Sequence, residues 1–141
     1  MLVRMITRTI SGTHEFWYRM TGGLVGGSLG RLPVLLLTTT GRKSGKKRTT
    51  PLVYLADGDN FVIIASNGGS DQHPEWWLNL RANPNAEVQV GPDVKYVVAE
   101  RAEGTERERL WREVNELYHG YEEYQRSTKR EIPVVVLRQQ R

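Results

Sequence analysis

The turn Thr38-Thr39-Thr40-Gly41-Arg42-Lys43-Ser44-Gly45-Lys46-Lys47-Arg48-Thr49-Thr50-Pro51 gathers groups whose shared chemistry is anion binding. Five of the chain's 20 Lys and Arg residues lie there, and the remaining 15 are outnumbered by 16 Asp and Glu residues. The formal excess of +4 therefore sits in a single loop, and no acidic residue between Glu15 and Asp57 offsets it. Charge that local suits a specific anion better than general solubility. Gly41 and Gly45 let backbone N–H groups converge on an anion, and Ser44 adds a hydroxyl donor. The long side chains supply charge-assisted hydrogen bonds to phosphate or carboxylate. The Gly-x-x-x-x-Gly-Lys phosphate loop is absent, and a solvated hairpin tip is the rival reading.

A second loop, Ala65 to Glu75, leads into a helix start, where free N–H groups and the helix dipole favour a negative group. Gly68 and Gly69 allow a flat ligand to approach the backbone, although a plain strand-to-helix connection needs the same residues. Tyr118, Tyr121 and Tyr124 share one broad side of a helix if Gly120 does not break it, a stripe that serves a core as readily as a ligand cradle. His14, His73 and His119 have no metal-ligand spacing, so no metal site is expected. There is no Ser-His-Asp arrangement and no Gly-x-Gly-x-x-Gly fingerprint. If the chain is an enzyme, a bound cofactor carries the redox step.

The elements that must position these groups follow from periodicity and turn residues. Residues 1–20 read as a helix ended by Thr21-Gly22-Gly23, and 26–30 as a glycine-rich loop. Strands are expected at 34–39, 49–56, 61–66, 86–90, 94–101 and 132–137, with Asp57-Gly58-Asp59-Asn60 as a tight hairpin. Pro74 takes the first helical position of a short helix over 75–81, which stops at Asn83-Pro84. Thr105 to Glu108 reads as a capping box opening a helix with Leu110, Trp111, Val114, Leu117 and Tyr118 on one face. A further helical turn covers 121–126. The expected class is mainly β (α+β): about six antiparallel strands closing into a small barrel with helices outside. A chain of 141 residues makes one domain, here an N-terminal helix and loop over 1–30 and a barrel over 31–141. With 38% hydrophobic and 26% charged residues it is a globular composition. The absence of cysteine excludes disulfides, thiolate metal sites and cysteine nucleophiles, and suits a reducing cytoplasm.

Two strings carry a resemblance: Leu36-Leu37-Thr38-Thr39-Thr40-Gly41-Arg42-Lys43-Ser44-Gly45, and Ala65-Ser66-Asn67-Gly68-Gly69 followed by Pro74-Glu75-Trp76-Trp77-Leu78-Asn79-Leu80. With Ala82-Asn83-Pro84 they closely resemble the deazaflavin-dependent nitroreductases, actinobacterial enzymes that use coenzyme F420 on a split β-barrel. The resemblance runs from about Arg31 to Leu137. It implies that Arg42, Lys43 and Ser44 grip the coenzyme's phosphate and acidic tail. It also implies that Arg48, Thr49, Thr50, Pro51, Leu52 and Val53 run beneath the cofactor. By the same matching, Ile64, Ala65, Ser66 and Asn67 lie along the deazaflavin ring, and Glu75, Trp76, Trp77, Leu78 and Asn79 hold the phosphate side. Tyr118, Tyr121 and Tyr124 match aromatic residues of the substrate pocket, Tyr121 being best placed to meet the cofactor.

The resemblance implies a reductase in which reduced F420 passes a hydride from C5 of its ring to an electron-poor acceptor, an activated alkene, a quinone or a nitroaromatic. Ser66 and Tyr121 would donate hydrogen bonds near the acceptor. By the same resemblance, members with an extended hydrophobic N-terminal segment tend to associate with membranes and can act on quinones; the brief one here puts both in doubt. Weak contact of the N-terminus with the inner face of the cell membrane stays open as the alternative to packing on the core. Monomer and homodimer both stay open. The rivals are an FMN-dependent oxidoreductase on the same barrel, a non-catalytic F420 carrier, and a module binding nucleic acid or anionic membrane. FMN lacks the acidic tail and explains fewer of the basic residues, and a nucleic-acid surface would spread them more widely.

Overall fold

A computed structural model describes residues 32–140. The helix expected over 1–20 and the loop over 26–30 lie outside these residues. Seven strands and three α-helices follow in chain order. They are β1 (Val34–Thr40), β2 (Lys47–Val53), β3 (Leu55–Asp57), β4 (Asn60–Ile64), a 3-10 turn (Asn67–Gly69), α1 (Glu75–Ala82), β5 (Asn85–Val90), β6 (Asp93–Arg101), α2 (Gly104–Leu117), α3 (Gly120–Arg126) and β7 (Val134–Gln139).

All seven strands form one sheet in the order β2-β1-β5-β6-β7-β4-β3, with every neighbouring pair antiparallel. The two edge strands are consecutive in the chain, and Tyr54 alone separates Val53 from Leu55. A flat sheet of this size would hold its edges roughly 29 Å apart, whereas two Cα steps reach roughly 7 Å. The sheet therefore curls back on itself into a split barrel, the expected class. The expected strand over 49–56 is instead two strands, making seven where about six were expected. Tyr54 leaves the ladder because its N–H donates to the Pro33 carbonyl at 3.1 Å. The strand expected over 61–66 ends at Ile64, since Ala65 N–H turns to the Pro133 carbonyl at 3.0 Å and the 3-10 turn begins just after. The last strand starts at Val134, two residues later than expected.

Side-chain alternation divides the apolar residues between two layers. On β4 and β7, Ile63, Val135 and Leu137 face the barrel interior with Leu35, Leu37, Val88 and Val97. Val62, Ile64, Val134 and Val136 face outward beneath Leu110 and Val114 of α2 and Tyr121 of α3. Period-two geometry in strands buried on both faces produces this pattern. Helix α1 packs Trp76, Trp77 and Leu80 into the interior cluster. Pro74 caps this helix instead of starting it, and Asn83 ends it as expected. The expected capping box does not form: Glu103 is the cap, Gly104 is the first helical residue, and Thr105 lies inside the helix. Arg109 ties α2 to the β3 hairpin through Asp57, with 3.1 Å contacts to both carboxylate oxygens, and also pairs with Glu113 at 2.8 Å.

Leu37 is fully buried in the interior cluster, while Tyr96 is 64% exposed. Leu37→Ala should therefore lower unfolding free energy by about 2–5 kcal/mol, read from urea denaturation with an unchanged slope. Tyr96→Thr should change it by less than about 0.5 kcal/mol; equal effects would contradict the interior assignment.

Candidate functional site

The basic turn projects from the β1–β2 hairpin, whose register pairs Thr38 with Thr49 and Thr40 with Lys47. The two threonine hydroxyls at 38 and 49 lie 2.8 Å apart and lock the hairpin neck. Within the turn, Gly41 N–H donates to the Lys46 carbonyl and Gly45 N–H to the Gly41 carbonyl, both at 2.8 Å. Ser44 Oγ accepts from Lys46 N–H at 3.1 Å, so the hydroxyl shapes the turn and keeps its own proton for an outside acceptor.

Helix α1 supplies the facing wall. The apolar inner stripe of β1, Leu35 and Leu37, ends in buried Thr39, which lies 3.5 Å from the Asn79 amide nitrogen. Buried Asn79 is the fulcrum of the site. Its Oδ1 accepts from Arg42 N–H at 3.1 Å and from Arg42 Nη1 at 3.0 Å, fixing both backbone and side chain of Arg42. Arg42 Nη1 also pairs with Glu75 Oε2 at 2.6 Å. That hydrogen bond, with the Arg42 charge, holds the Glu75 carboxyl below its usual range. The negative group expected at the helix start is thus met from within the chain by Glu75.

Between these walls lies a cleft of about 660 Å³ lined by Arg42, Lys43, Ser44, Lys47, Arg48, Thr49, Thr50, Glu75, Trp76 and Asn79, with Thr39 and Gly41 at its base. Four cations face one carboxylate. Among the described residues, Lys43 and Arg48 make no ion pair or side-chain hydrogen bond. Lys47 Nζ donates to Thr40 Oγ1 at 3.2 Å and meets no acid. Three cations therefore form no ion pair among the described residues, although the Lys43 charge also acts on Glu75, and they lie beside hydroxyls of Ser44, Thr49 and Thr50. A phosphate bearing an acidic tail matches this donor set, whereas a lone phosphate uses only part of it.

Not every residue expected at the site lines this cleft. Pro51, Leu52 and Val53 continue β2 away from it, with Leu52 packed on the interior cluster. Ala65 and Trp77 are buried in that same cluster, and Leu78 is half-buried on α1. Ile64 faces the opposite layer with the tyrosines. Ser66 is nearly buried, and its hydroxyl has no partner among the described residues. Asn67 is exposed at φ 47°, the left-handed region. Trp76 belongs to both the cleft wall and the interior cluster. The end of β4 thus stands between the cationic cleft and the tyrosines.

The tyrosines do meet, though not on one helix. Tyr118 ends α2, while Tyr121 and Tyr124 lie on α3. Their ring centroids are 5.2, 6.3 and 6.3 Å apart, and the Tyr118 and Tyr124 hydroxyls lie 3.3 Å apart. Gly120 allows it, since a Cβ there would collide with the Tyr118 ring. Burial pushes the Tyr121 hydroxyl well above its usual value. The hydrogen bond with Tyr118, and then burial, push Tyr124 up to about 12. Both remain protonated donors at neutral pH.

Arg130 went unread in the sequence. It sits in no motif, yet its guanidinium donates to the carbonyls of Ala65, Ser66 and Ser70. Partners more than 55 residues away in sequence leave no local signal. Thr39, at the base of the cleft, has no role of its own in the sequence reading, while Gly41 and Lys47 enter it only as parts of the anion-binding turn.

Comparison with known proteins identifies the family. Residues 11–139 match the family described as F420H(2)-dependent quinone reductase. An F420H(2)-dependent quinone reductase of Mycobacterium tuberculosis (strain H37Rv) is 45% identical over 128 residues, covering 88% of this chain and 86% of that one. A solved F420-H2 dependent reductase, FDR-A, superposes with a TM-score of 0.69 at 44% identity, covering 74% of this chain and 93% of its own. A second solved relative, described as a domain-swapped dimer, gives a TM-score of 0.70 at 38% identity over 89% of this chain and 99% of its own. The chain belongs to the F420H(2)-dependent quinone reductase family and is an oxidoreductase that uses coenzyme F420.

Proposed function

We propose that this reductase passes a hydride from reduced F420 to a quinone, with activated alkenes and nitroaromatics as further electron-poor acceptors. The observation that carries the reading is the cleft between the basic turn and α1, where four cations face one carboxylate. The family description and the names of the relatives favour a quinone among the acceptors. The relative described as a domain-swapped dimer favours a homodimer.

Bound F420H2 supplies the electron pair as a hydride, and the acceptor takes that hydride and a proton to leave as the reduced product. The chain's own part is binding, orientation and proton supply. Lys43, Lys47 and Arg48 hold phosphate and tail carboxylates, with Ser44 donating its free proton. Asn79 keeps Arg42 and the turn fixed against α1, which holds the anchor for the phosphate side in one position. Ser66 and Tyr121 hold hydroxyl protons and stabilise the negative charge that grows on the acceptor oxygen. With its hydroxyl held neutral by burial, Tyr121 donates a hydrogen bond at physiological pH and is a weaker acid than an exposed tyrosine.

Fluorescence titration with F420, FMN and FAD tests the binding half. Lys43→Ala with Arg48→Ala should weaken intact F420 by about tenfold or more, since each lost charge-assisted contact is worth about 1.5–3 kcal/mol. The same pair should leave a tail-free deazaflavin nearly unaffected, and equal losses would overturn the tail assignment. Tighter saturation by FMN than by F420 would favour the flavin reading.

For the acceptor half, Tyr121→Phe and Ser66→Ala should each lower kcat by about tenfold or more while the Kd for F420 changes less. The measurement is oxidation of F420H2 by menadione, followed by absorbance. Unchanged turnover in both variants would remove these hydroxyls from the reaction.

A further inference from the structure

The loop from Ala65 to His73 joins the end of β4 to α1, and one side chain from outside spans it. Arg130 lies between α3 and β7. Its Nη2 donates to the carbonyls of Ala65 at 3.2 Å and Ser66 at 2.9 Å. Its Nε donates to the Ser70 carbonyl at 2.8 Å, and its Nη1 lies 3.1 Å from His73 Nδ1. All three guanidinium nitrogens are used, and their partners lie at both ends of the loop. A planar fork fixes four acceptors relative to one another in a way that an ammonium group cannot.

The loop needs such a clamp. Asn67, Gly68 and Gly69 are three successive left-handed residues at φ 47°, 64° and 86°. Gly69 lies so close to α3 that a Cβ would collide with Ser127 Oγ. Ser127 Oγ shares its proton between the Tyr124 carbonyl at 2.8 Å and the Gly69 carbonyl at 3.1 Å, and Thr128 Oγ1 lies 2.8 Å from Asp71 Oδ1. These contacts fasten the loop's middle. Arg130 fastens its start, where Ser66 carries the hydroxyl assigned above to the acceptor.

We propose that Arg130 is a positioning residue for hydride transfer, setting the orientation of Ala65 and Ser66, and that neutral His73 completes its grip as the fourth acceptor. The proposal rests on the reading of Ser66 given under the proposed function. Nδ1 accepts from Arg130 only while the imidazole is neutral. Burial, then the charges of Arg130, Arg81 on α1 and Arg101 on β6, hold the His73 pKa below its usual value. Asp71, on the same loop, is turned to Thr128. Because the folded pKa is depressed, the imidazole stays neutral to lower pH than a free histidine does. Acidification below the folded pKa places a second cation against Arg130 and loosens the loop.

The test uses F420H2 and menadione with the full chain. Arg130→Lys should lower kcat by about 10- to 100-fold, the cost of a misplacement near 1 Å, while the Kd for intact F420 moves by less than threefold. In Arg130→Ala, millimolar ethylguanidinium should restore part of kcat; a merely structural role would lower thermal stability without this rescue. His73→Asn, whose Oδ1 can still accept from Arg130, should flatten the pH profile of kcat by removing the acid fall expected of the unmodified chain. Unchanged kcat in Arg130→Lys with saturable F420 binding overturns the proposal, as does an acid limb that survives His73→Asn. If either Arg130 variant does not fold, the His73→Asn profile decides. Failure of the underlying reading is distinct, because the unmodified chain would then not saturate with F420, and the proposal would fall with it.

Discussion

The constraint on which the structure depends is chain connectivity across the ends of the sheet. Strands β2 and β3 occupy opposite edges, yet one residue joins them. The sheet has to curl, and the curl encloses an interior that α1 fills with Trp76, Trp77 and Leu80. The same closure carries the β1–β2 hairpin against α1. The cationic cleft is therefore a by-product of barrel closure, formed where a hairpin tip and the filling helix meet. Asn79 marks that junction: buried among apolar neighbours on one side, it spends its polar atoms on Arg42 and Thr39 on the other.

Two kinds of order divide the work of the site. The cleft is electrostatic, built on a turn whose backbone bonds are local and whose side chains are largely solvated. The tyrosine side is packing, built on an outer layer where β4, β7, α2 and α3 converge. The end of β4 serves both, because alternate residues point to opposite layers: Ala65 inward towards Trp76, Ile64 outward towards Tyr121. Period-two geometry thus gives one short segment a view of both halves.

Much of this was legible because the signals were local. The Gly58-Asp59 hairpin and the helix stop at Asn83-Pro84 depend on near neighbours and appear as read; the basic turn joins two strands as expected, but its Gly41 and Gly45 N–H groups bond within the turn and Lys47 and Arg48 already belong to β2. The break at Tyr54 was not legible, since its cause is a hydrogen bond to Pro33 twenty-one residues earlier, and the run Thr49 to Ala56 has no glycine to announce it. The capping box failed for the opposite reason: its local pattern was right, but Gly104, at φ 59°, already starts the helix. The three tyrosines share a cluster as expected, yet reach it across a helix break by ring contacts between two helices. Arg130 needed the tertiary structure, because guanidinium-to-carbonyl bonds accept any partner sequence.

The ion pair between Arg42 and Glu75 has a consequence for ion selectivity. Glu75 is tethered, so its effective concentration at Arg42 is far above that of a small anion in solution. Chloride or acetate arriving alone meets a guanidinium that is already neutralised. The unpaired charge begins at Lys43 and continues on β2 at Lys47 and Arg48. An occupant gains most when it brings several negative groups that bridge these cations together. The carboxylate thus acts as a built-in competitor, making the cleft a filter for valence and length of the anion over mere negative sign.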